Sequence, residues 1–185
     1  MRAAPTDWDL FARARDQRDA LDELFSRHRH FVYRVAWGIL SEDQAADDVV
    51  QDIFLKLRAG RLKATPRAQF TTWLYRVAVN TARAHARSRR KWWGDASAAQ
   101  VLATTPDTAT TPDRLDTLKD LGQALAALPQ RQREVVVLRF LEGFDTAETA
   151  RILGCRAGTV KAHLHRATLS LRDKLDQTST PGDLT

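Results

Sequence analysis

A row of arginines with one asparagine among them is the part of this sequence best suited to binding chemistry. It lies in the stretch Phe70–Trp93, FTTWLYRVAVNTARAHARSRRKWW. At about 100° per residue, the α-helical period, one side of this stretch is apolar. The opposite side, here called the arginine stripe, has no acidic residue and consists of Arg76, Asn80, Arg83, Arg87 and Arg90.

The composition of the arginine stripe suits a nucleic acid strand, because cationic side chains pair with phosphates and displace their counterions. Aromatic rings stack on unpaired bases, and those that lie on or beside the stripe are Trp73, Tyr75, Trp92 and Trp93. The alternative is an ordinary charged helix surface that faces solvent. The absence of acidic residues and the neighbouring rings favour binding to a single-stranded or opened nucleic acid.

An acidic face is predicted on the helix before this stretch. The segment Ser41–Gln44 is typical of a capping box, so we expect Ser41 to cap the start of the helix. The acidic face consists of Asp48, Gln51, Asp52 and Leu55. Acidic residues near a helix N-terminus favour its dipole, which accounts for Asp48 better than for Asp52. An exposed leucine among acids and an amide is typical of a protein contact surface, and the spacing leaves both interpretations open.

A helix-turn-helix is predicted in the C-terminal third of the chain. The segment Asp145–Glu148 is a second capping box, and Gly154 is suited to end the short helix that follows it. A last helix is expected over Thr159–Leu175. Its side away from the apolar stripe has Thr159, Ala162, His165, Arg166 and Leu169, flanked by Lys161 and Arg172. Such groups reach base edges in a DNA major groove, and the alternative is a helical bundle with a basic outer surface.

These elements require a helical scaffold. Of the 185 residues, 43% are hydrophobic and 28% are charged, and only 8 Gly and 6 Pro interrupt the chain. Alternating β-branched runs are nearly absent, so the sequence predicts an all-α fold. Residues 94–112 are rich in Thr, Ala, Asp and Pro, which favours a flexible linker. We therefore expect two small helical domains, at residues 1–93 and 113–175, and a disordered tail at residues 176–185.

The overall charge and the single cysteine bear on partners and compartment. The net charge is +6 and the sequence pI is near 10.0, which fits a polyanionic partner. One cysteine, Cys155, excludes an internal disulfide and favours a reducing compartment. The N-terminus lacks the apolar run of a signal peptide, and no stretch is long enough to span a membrane. We expect a cytoplasmic protein that does not insert into membranes.

No pattern in the sequence predicts catalysis. It contains no phosphate-binding glycine loop, no nucleophile–base spacing and no cluster of metal ligands. His28 and His30 are two residues apart on a predicted helix and face different directions, so they do not form a metal site. Cys155 lies in the predicted turn without a neighbouring base, and a structural role is expected. We predict no catalytic residue, no metal and no cofactor.

Three segments carry a family resemblance. DQAADDVVQDIFLKL, at Asp43–Leu57, is similar to region 2.2 of bacterial sigma factors. FTTWLYRVAVNTARAHARSRR, at Phe70–Arg90, is similar to regions 2.3 and 2.4. LPQRQREVVVLRFLEGFDTAETARILGCRAGTVKAHLHRATLSLRDKL, at Leu128–Leu175, is similar to region 4. The chain thus resembles a bacterial RNA polymerase sigma factor of the extracytoplasmic-function (ECF) group, with no room for the region 1.1 or region 3 domain of a primary sigma factor.

The resemblance implies a chain that binds core RNA polymerase and directs it to promoters. In the family, region 2.2 docks on the clamp of the largest polymerase subunit, and region 4 meets the flap. The docking residues here would be Asp48, Gln51, Asp52 and Leu55. The residues that would bind the opened minus-ten element are Trp73, Arg76, Asn80, Arg83 and Arg87. Among these, Asn80 matches the family asparagine at the flipped base.

The resemblance also assigns residues to the minus-thirty-five element. Those that would read its bases are Lys161, His165 and Arg166, and those that would hold its phosphates are Arg139 and Thr159. Arg156 stands where the family often has Ser or Pro, and because Arg is a poor helix cap it is expected to face phosphate. The loop at residues 61–69 also lacks the usual glycine and acidic residues. An anti-sigma factor is a further implied partner.

Two other classes of protein fit parts of the sequence. A free-standing helix-turn-helix regulator would bind duplex DNA without polymerase, but it needs neither the acidic face nor the arginine stripe. A protein-interaction module would turn its basic surfaces toward acidic partners. Association with core polymerase distinguishes a sigma factor from both.

Overall fold

The computed structural model describes residues 4–64, 69–93 and 120–178, with the backbone alone at 92–93 and 174–178. All regular secondary structure in these ranges is helical, which confirms the predicted all-α fold. No described helix combines the length and the apolar composition needed to cross a membrane. The chain divides into two compact units, Met1–Thr104 and Thr105–Thr185. The predicted linker, residues 94–112, lies outside the described residues.

The first unit is built around one long helix. Its helices are α1 Asp7–Arg13, α2 Arg18–Leu40, α3 Asp43–Arg58 and α4 Phe70–Trp93. α2 packs against each of the other three, and α3 also packs against α4. Aliphatic side chains at helical spacing fill the space between them, and the fully buried ones include Leu24, Val32, Val35, Ile39, Val49, Ile53, Leu74 and Val79. Burying each such side chain contributes about 1.5–3 kcal/mol, so this packing fixes which side of α4 faces solvent.

The connection between α2 and α3 differs from the prediction. Ser41 ends α2 in the left-handed conformation, at φ 55°, and its N–H donates to the carbonyl oxygen of Trp37 at 2.6 Å. Glu42 is the N-cap of α3 and makes no capping hydrogen bond through its side chain. The predicted capping box at Ser41–Gln44 is therefore wrong. The chain must leave α2 and enter α3 within two residues, and the left-handed turn at Ser41 accomplishes this.

Polar contacts join the short helix α1 to α2. It begins with a capping box in which the Asp9 N–H donates to the hydroxyl oxygen of Thr6 at 3.2 Å. The guanidinium of Arg27 donates to one carboxylate oxygen of Asp7 at 2.9 Å. Nε2 of the buried His28 lies 3.0 Å from the other carboxylate oxygen. His28 thus has a structural partner on α1.

The second unit contains the predicted helix-turn-helix. Its helices are α5, described over residues 120–126, α6 Gln130–Val136, α7 Thr146–Leu153 and α8 Ala157–Thr178. α6 continues into a π-helical turn, Val137–Leu141, which the sequence pattern did not predict. The apolar sides of these helices meet in a core that includes Leu125, Leu138, Val160 and Ala167.

The ends of these helices largely follow the predicted signals. Pro129 is the N-cap of α6, as its position suggested. α8 begins at Ala157 and ends at Thr178, and is therefore longer at both ends than the predicted helix Thr159–Leu175. Thr111-Pro112, a capping residue followed by proline, predicts the start of the first helix of the second domain. Both residues lie outside the described residues, as do residues 179–185 of the predicted tail.

Candidate nucleic-acid interfaces and acidic face

The arginine stripe faces solvent along α4. Its exposed members are Arg76, Asn80, Arg87 and Arg90, and Arg83 is partly exposed. The guanidinium of Arg83 donates a hydrogen bond to the side-chain oxygen of Asn80 at 3.2 Å. On the opposite side, Leu74 and Ala78 are buried. The predicted division of this helix into an apolar side and a basic side is confirmed, and the stripe presents guanidinium groups together with one amide.

One arginine near the stripe has a different function. Arg89 is partly buried and forms an ion pair with Glu42, the N-cap residue of α3. Because Glu42 is only 15% exposed, its carboxylate depends on this partner more than a surface carboxylate would. The basic run at the end of α4 is therefore divided between the solvent side and the α3–α4 contact.

Trp73 belongs to a cluster of aromatic rings, here called the ring cluster, at the start of α4. Its ring centroid lies 4.9 Å from that of Phe11, 5.6 Å from Trp8 and 5.3 Å from Phe70. Trp8 and Phe11 come from α1, and no pattern in the sequence predicts that this helix contacts α4. The indole of Trp73 is half-buried as a result, with its orientation fixed by edge and tilted ring contacts.

The other rings predicted beside the stripe are not equivalent to Trp73. Tyr75 is 9% exposed, and its ring centroid lies 3.9 Å from that of Phe31 on α2. The prediction that Tyr75 is available for base stacking is wrong, because its position on α4 points toward α2. The side chains of Trp92 and Trp93 lie outside the described residues.

The acidic face of α3 has one member that differs from the rest. Asp48 and Gln51 are exposed, and Leu55 is 63% exposed. Asp52 is partly buried, and its Oδ2 accepts a hydrogen bond from Lys56 Nζ at 2.7 Å. The same oxygen lies 3.4 Å from Nε2 of His85 on α4. Three side chains of this face are thus exposed to solvent, and the fourth, Asp52, is partly buried by contacts within the first unit.

The helix-turn-helix of the second unit has the predicted geometry. The N–H of Glu148 donates to Asp145 Oδ1 at 2.7 Å, and the N–H of Asp145 donates to Glu148 Oε2 at 2.9 Å, which confirms the capping box. Gly154 ends α7 in the left-handed conformation at φ 66°. The exposed side chains on the outward side of α8 are Thr159, Lys161, Ala162, His165, Arg166 and Leu169.

Three further residues lie around the helix-turn-helix. Arg139, on the π-helical turn, is partly buried and donates a hydrogen bond from its guanidinium to the carbonyl oxygen of Phe144, just before α7. Arg156 is exposed, and its carbonyl oxygen accepts from the N–H of Thr159 at 2.9 Å at the start of α8. Cys155 is partly buried in the turn. Throughout the described residues, no three His, Cys, Asp or Glu side chains are grouped so as to hold a metal ion.

Comparison with known proteins identifies the family. Residues 24–92 match the family model for Sigma-70 region 2, and residues 118–171 match that for Sigma-70, region 4. The ECF RNA polymerase sigma factor SigM of Mycobacterium tuberculosis is 33% identical over 171 residues, which cover 92% of this chain and 85% of the relative. The chain belongs to the ECF sigma factors. The RNA polymerase sigma factor CarQ of Myxococcus xanthus is 32% identical, over 86% of this sigma factor and 91% of CarQ.

Two solved structures resemble this sigma factor over most of its length. CnrH in complex with the cytosolic domain of CnrY has a TM-score of 0.68 and 28% identity, and covers 94% of this chain and 99% of CnrH. The sigma factor RpoE in complex with the anti-sigma factor NepR, from Bartonella quintana, has a TM-score of 0.66 and 25% identity. That match covers 84% of this chain and 96% of RpoE.

Family membership establishes what this sigma factor does. It is a transcription initiation factor that joins RNA polymerase and directs it to promoter DNA, and sigma factors are not themselves catalysts. The region 2 match covers α3 and α4, which a free-standing helix-turn-helix regulator does not need. That alternative is therefore not favoured.

Proposed function

We propose that α3 docks this sigma factor on the clamp of the largest polymerase subunit. The support is Leu55, whose side chain is 63% exposed beside the exposed Asp48 and Gln51. A protein contact commonly has an apolar anchor within a polar rim, and these three side chains have that composition. Asp52, the remaining member of the predicted set, is partly buried and contacts Lys56 and His85 within the first unit.

We further propose that the arginine stripe of α4 holds the opened minus-ten element. Arg76, Arg83 and Arg87 would contact the strand phosphates, and Asn80 would read the flipped base, because its amide offers both a donor and an acceptor. Opening a duplex costs a few kcal/mol per extruded base. A surface already ordered by the Arg83–Asn80 hydrogen bond loses less entropy on binding, which offsets part of that cost. Trp73 would support the melting fork from its fixed position.

α8 is proposed to read the minus-thirty-five element in the major groove. Lys161, His165 and Arg166 are exposed along its outward side, where they would reach base edges. Thr159 and Arg156, at its N-terminal end, would contact phosphates. The hydrogen bond from Arg139 to Phe144 supports a second function for Arg139, in holding the turn before α7. Its predicted phosphate contact would involve the rest of the guanidinium.

The second unit also has an apolar surface suited to protein partners. Phe140 is 65% exposed and Leu141 is 41% exposed, both on the π-helical turn. We propose that this surface meets the polymerase flap, and that an anti-sigma factor controls the protein in the cytoplasm by covering polymerase-binding surfaces. The similarity to RpoE, whose structure contains an anti-sigma factor, supports such control.

The solvent-facing arginine stripe with Asn80 inside it is the observation that carries this proposal. Run-off transcription with core polymerase and a library of randomised promoters tests it. The expected transcripts come from templates that share two sequence elements at a constant separation. Leu55→Ala is the matched control. It leaves both DNA-binding surfaces unchanged, but transcription should fall because the protein docks on core polymerase more weakly. Transcripts from templates with no shared minus-ten sequence would contradict the proposed reading by α4.

A further inference from the structure

Asp52 is the member of the acidic face that the structure does not direct to solvent. Its side chain is 30% exposed, whereas that of Leu55, three positions further along α3, is 63% exposed. The carboxylate oxygen Oδ2 is shared by two cationic or potentially cationic groups, Lys56 at 2.7 Å and His85 at 3.4 Å. A carboxylate in this arrangement is already neutralised within the first unit. It has less to gain from a polymerase cation than an exposed carboxylate such as Asp48.

His85 is the partner that joins two elements. Lys56 lies one turn from Asp52 on the same helix, so that ion pair supports α3 alone. His85 comes from α4 and lies 33 residues further along the chain. The imidazole is 28% exposed, so the contact is only partly screened by water. It therefore links the acidic face to the helix that carries the arginine stripe.

An ion pair joins the same two helices further along α4. Arg89, one turn beyond His85 on α4, pairs with Glu42 at the start of α3. Both acidic groups come from α3 or its N-cap, and both basic groups come from α4. The α3–α4 contact thus has one ion pair and one carboxylate–imidazole contact in addition to its apolar core, and the contact at His85 lies next to the acidic face.

We propose that His85 is a positioning residue for polymerase docking, which acts by holding Asp52 against α4. This inference rests on the proposed docking role of α3. On this basis Asp48, Gln51 and Leu55 contact polymerase, and Asp52 contributes through His85 instead of through a direct contact. Groups held by a supporting layer of contacts bind with less loss of freedom, so loosening His85 weakens docking without removing a docking side chain.

A double-mutant cycle on core binding tests the proposal. The variants are His85→Ala, Asp52→Asn and the two combined, each measured for equilibrium affinity to core polymerase together with its thermal unfolding midpoint. Because the contact is polar and partly exposed, we expect each single variant to bind core about two- to fivefold more weakly. The combined variant should bind about as weakly as the weaker of the two single variants, because both changes weaken the contact between positions 85 and 52. His30→Ala, which removes an exposed histidine from α2, is the matched control and should bind as the unmodified protein does.

His85→Gln separates positioning from a general loss of folding. The glutamine amide N–H₂ can donate to Asp52 from about the same place as the imidazole, so this variant should regain most of the core affinity. An unchanged affinity in His85→Ala with a large loss in Asp52→Asn would overturn the proposal, because Asp52 would then contact polymerase directly. Additive losses in the combined variant would overturn it as well. Should His85→Ala fail to fold, weak core binding by a folded His85→Gln variant would also contradict the proposal.

The docking face itself is checked by Leu55→Ala. A large loss of core affinity in this variant, together with additive losses at positions 85 and 52, would leave the docking proposal standing and reject only the role of His85. Normal core affinity in Leu55→Ala would reject the docking face and, with it, the role of His85.

Discussion

The arginine stripe of α4 and the outward side of α8 both present basic groups suited to DNA, yet the protein holds them differently. On α4, Arg83 bonds to Asn80, and its neighbours His85 and Arg89 contact α3. On α8, within the described residues, the side chains of Lys161, His165 and Arg166 form no hydrogen bond or ion pair. An ordered surface suits a strand that must be opened at a cost in free energy. Exposed, adaptable side chains suit a duplex groove that is already formed.

Disrupting the ring cluster should have the largest effect on stability, because the cluster orders the start of the helix that carries the arginine stripe. Trp8→Ala deletes a ring that contacts Phe11, Phe70 and Trp73, so we expect the free energy of unfolding of the first unit to fall by about 2–3 kcal/mol. All five tryptophans lie at residues 8–93, so tryptophan fluorescence during urea unfolding reports on this unit. Phe140→Ala removes an exposed ring from the second unit, which contains no tryptophan, so its unfolding is followed by far-UV circular dichroism. This variant should change the unfolding free energy by no more than about 0.5 kcal/mol. Equal losses in the two variants would contradict the contrast.

Substitutions of two nearby arginines on α4, Arg89 and Arg87, should have effects of intermediate size. Arg89→Ala leaves Glu42 without its ion-pair partner, so we expect a loss of about 1–2 kcal/mol in unfolding free energy and little change in the salt dependence of promoter binding. Arg87→Ala should leave stability within about 0.5 kcal/mol but reduce the slope of log affinity against log salt by about 1. Urea unfolding and promoter binding by holoenzyme at several salt concentrations measure both. A reduced slope for Arg89→Ala would mean that it, too, contacts phosphate.

The smallest expected effect is a change in unfolding free energy at alkaline pH, and it arises from Tyr33 in the first unit. Burial, and the hydrogen bond that the Tyr33 hydroxyl donates to Asp43 at 2.5 Å, raise the pKa of Tyr33 above 10.0. The unfolded chain therefore releases this proton first, and the contribution of Tyr33 to stability, complete below pH 10, declines as the pH rises above it. Tyr33→Phe should flatten the decline of unfolding free energy above pH 10. Parallel curves for the variant and the unmodified protein would contradict this.

Local signals in the sequence predicted much of this structure. The apolar side of α4, the capping box at Asp145 and the left-handed end of α7 at Gly154 depend on residues within one or two turns of each other. The spacing of those residues alone therefore determined the prediction. The outward side of α8 was predicted for the same reason.

The missed features depend on contacts between distant residues. Ser41 could cap α3 or end α2, and only the packing of the two helices decides which. Arg87 and Arg89 are the same residue type, two positions apart on α4, but the fold places Glu42 beside Arg89. Trp73 and Tyr75 both lie on or beside the stripe in the sequence pattern, and their contacts with α1 and α2 distinguish them. Periodicity identifies the side of a helix, whereas the partner on that side comes from the fold.

The assignment of the arginine stripe to the opened promoter strand is tested by the reactivity of unpaired minus-ten thymines to permanganate, measured with holoenzyme containing Asn80→Ala. We expect the reactivity to fall by about tenfold, which corresponds to about 1.4 kcal/mol of lost strand binding, with core polymerase affinity unchanged. Ser88→Ala, an exposed polar change elsewhere on α4, should behave as the unmodified protein does. Full reactivity with Asn80→Ala, or loss of its core binding, would contradict the assignment of the arginine stripe to the opened promoter strand.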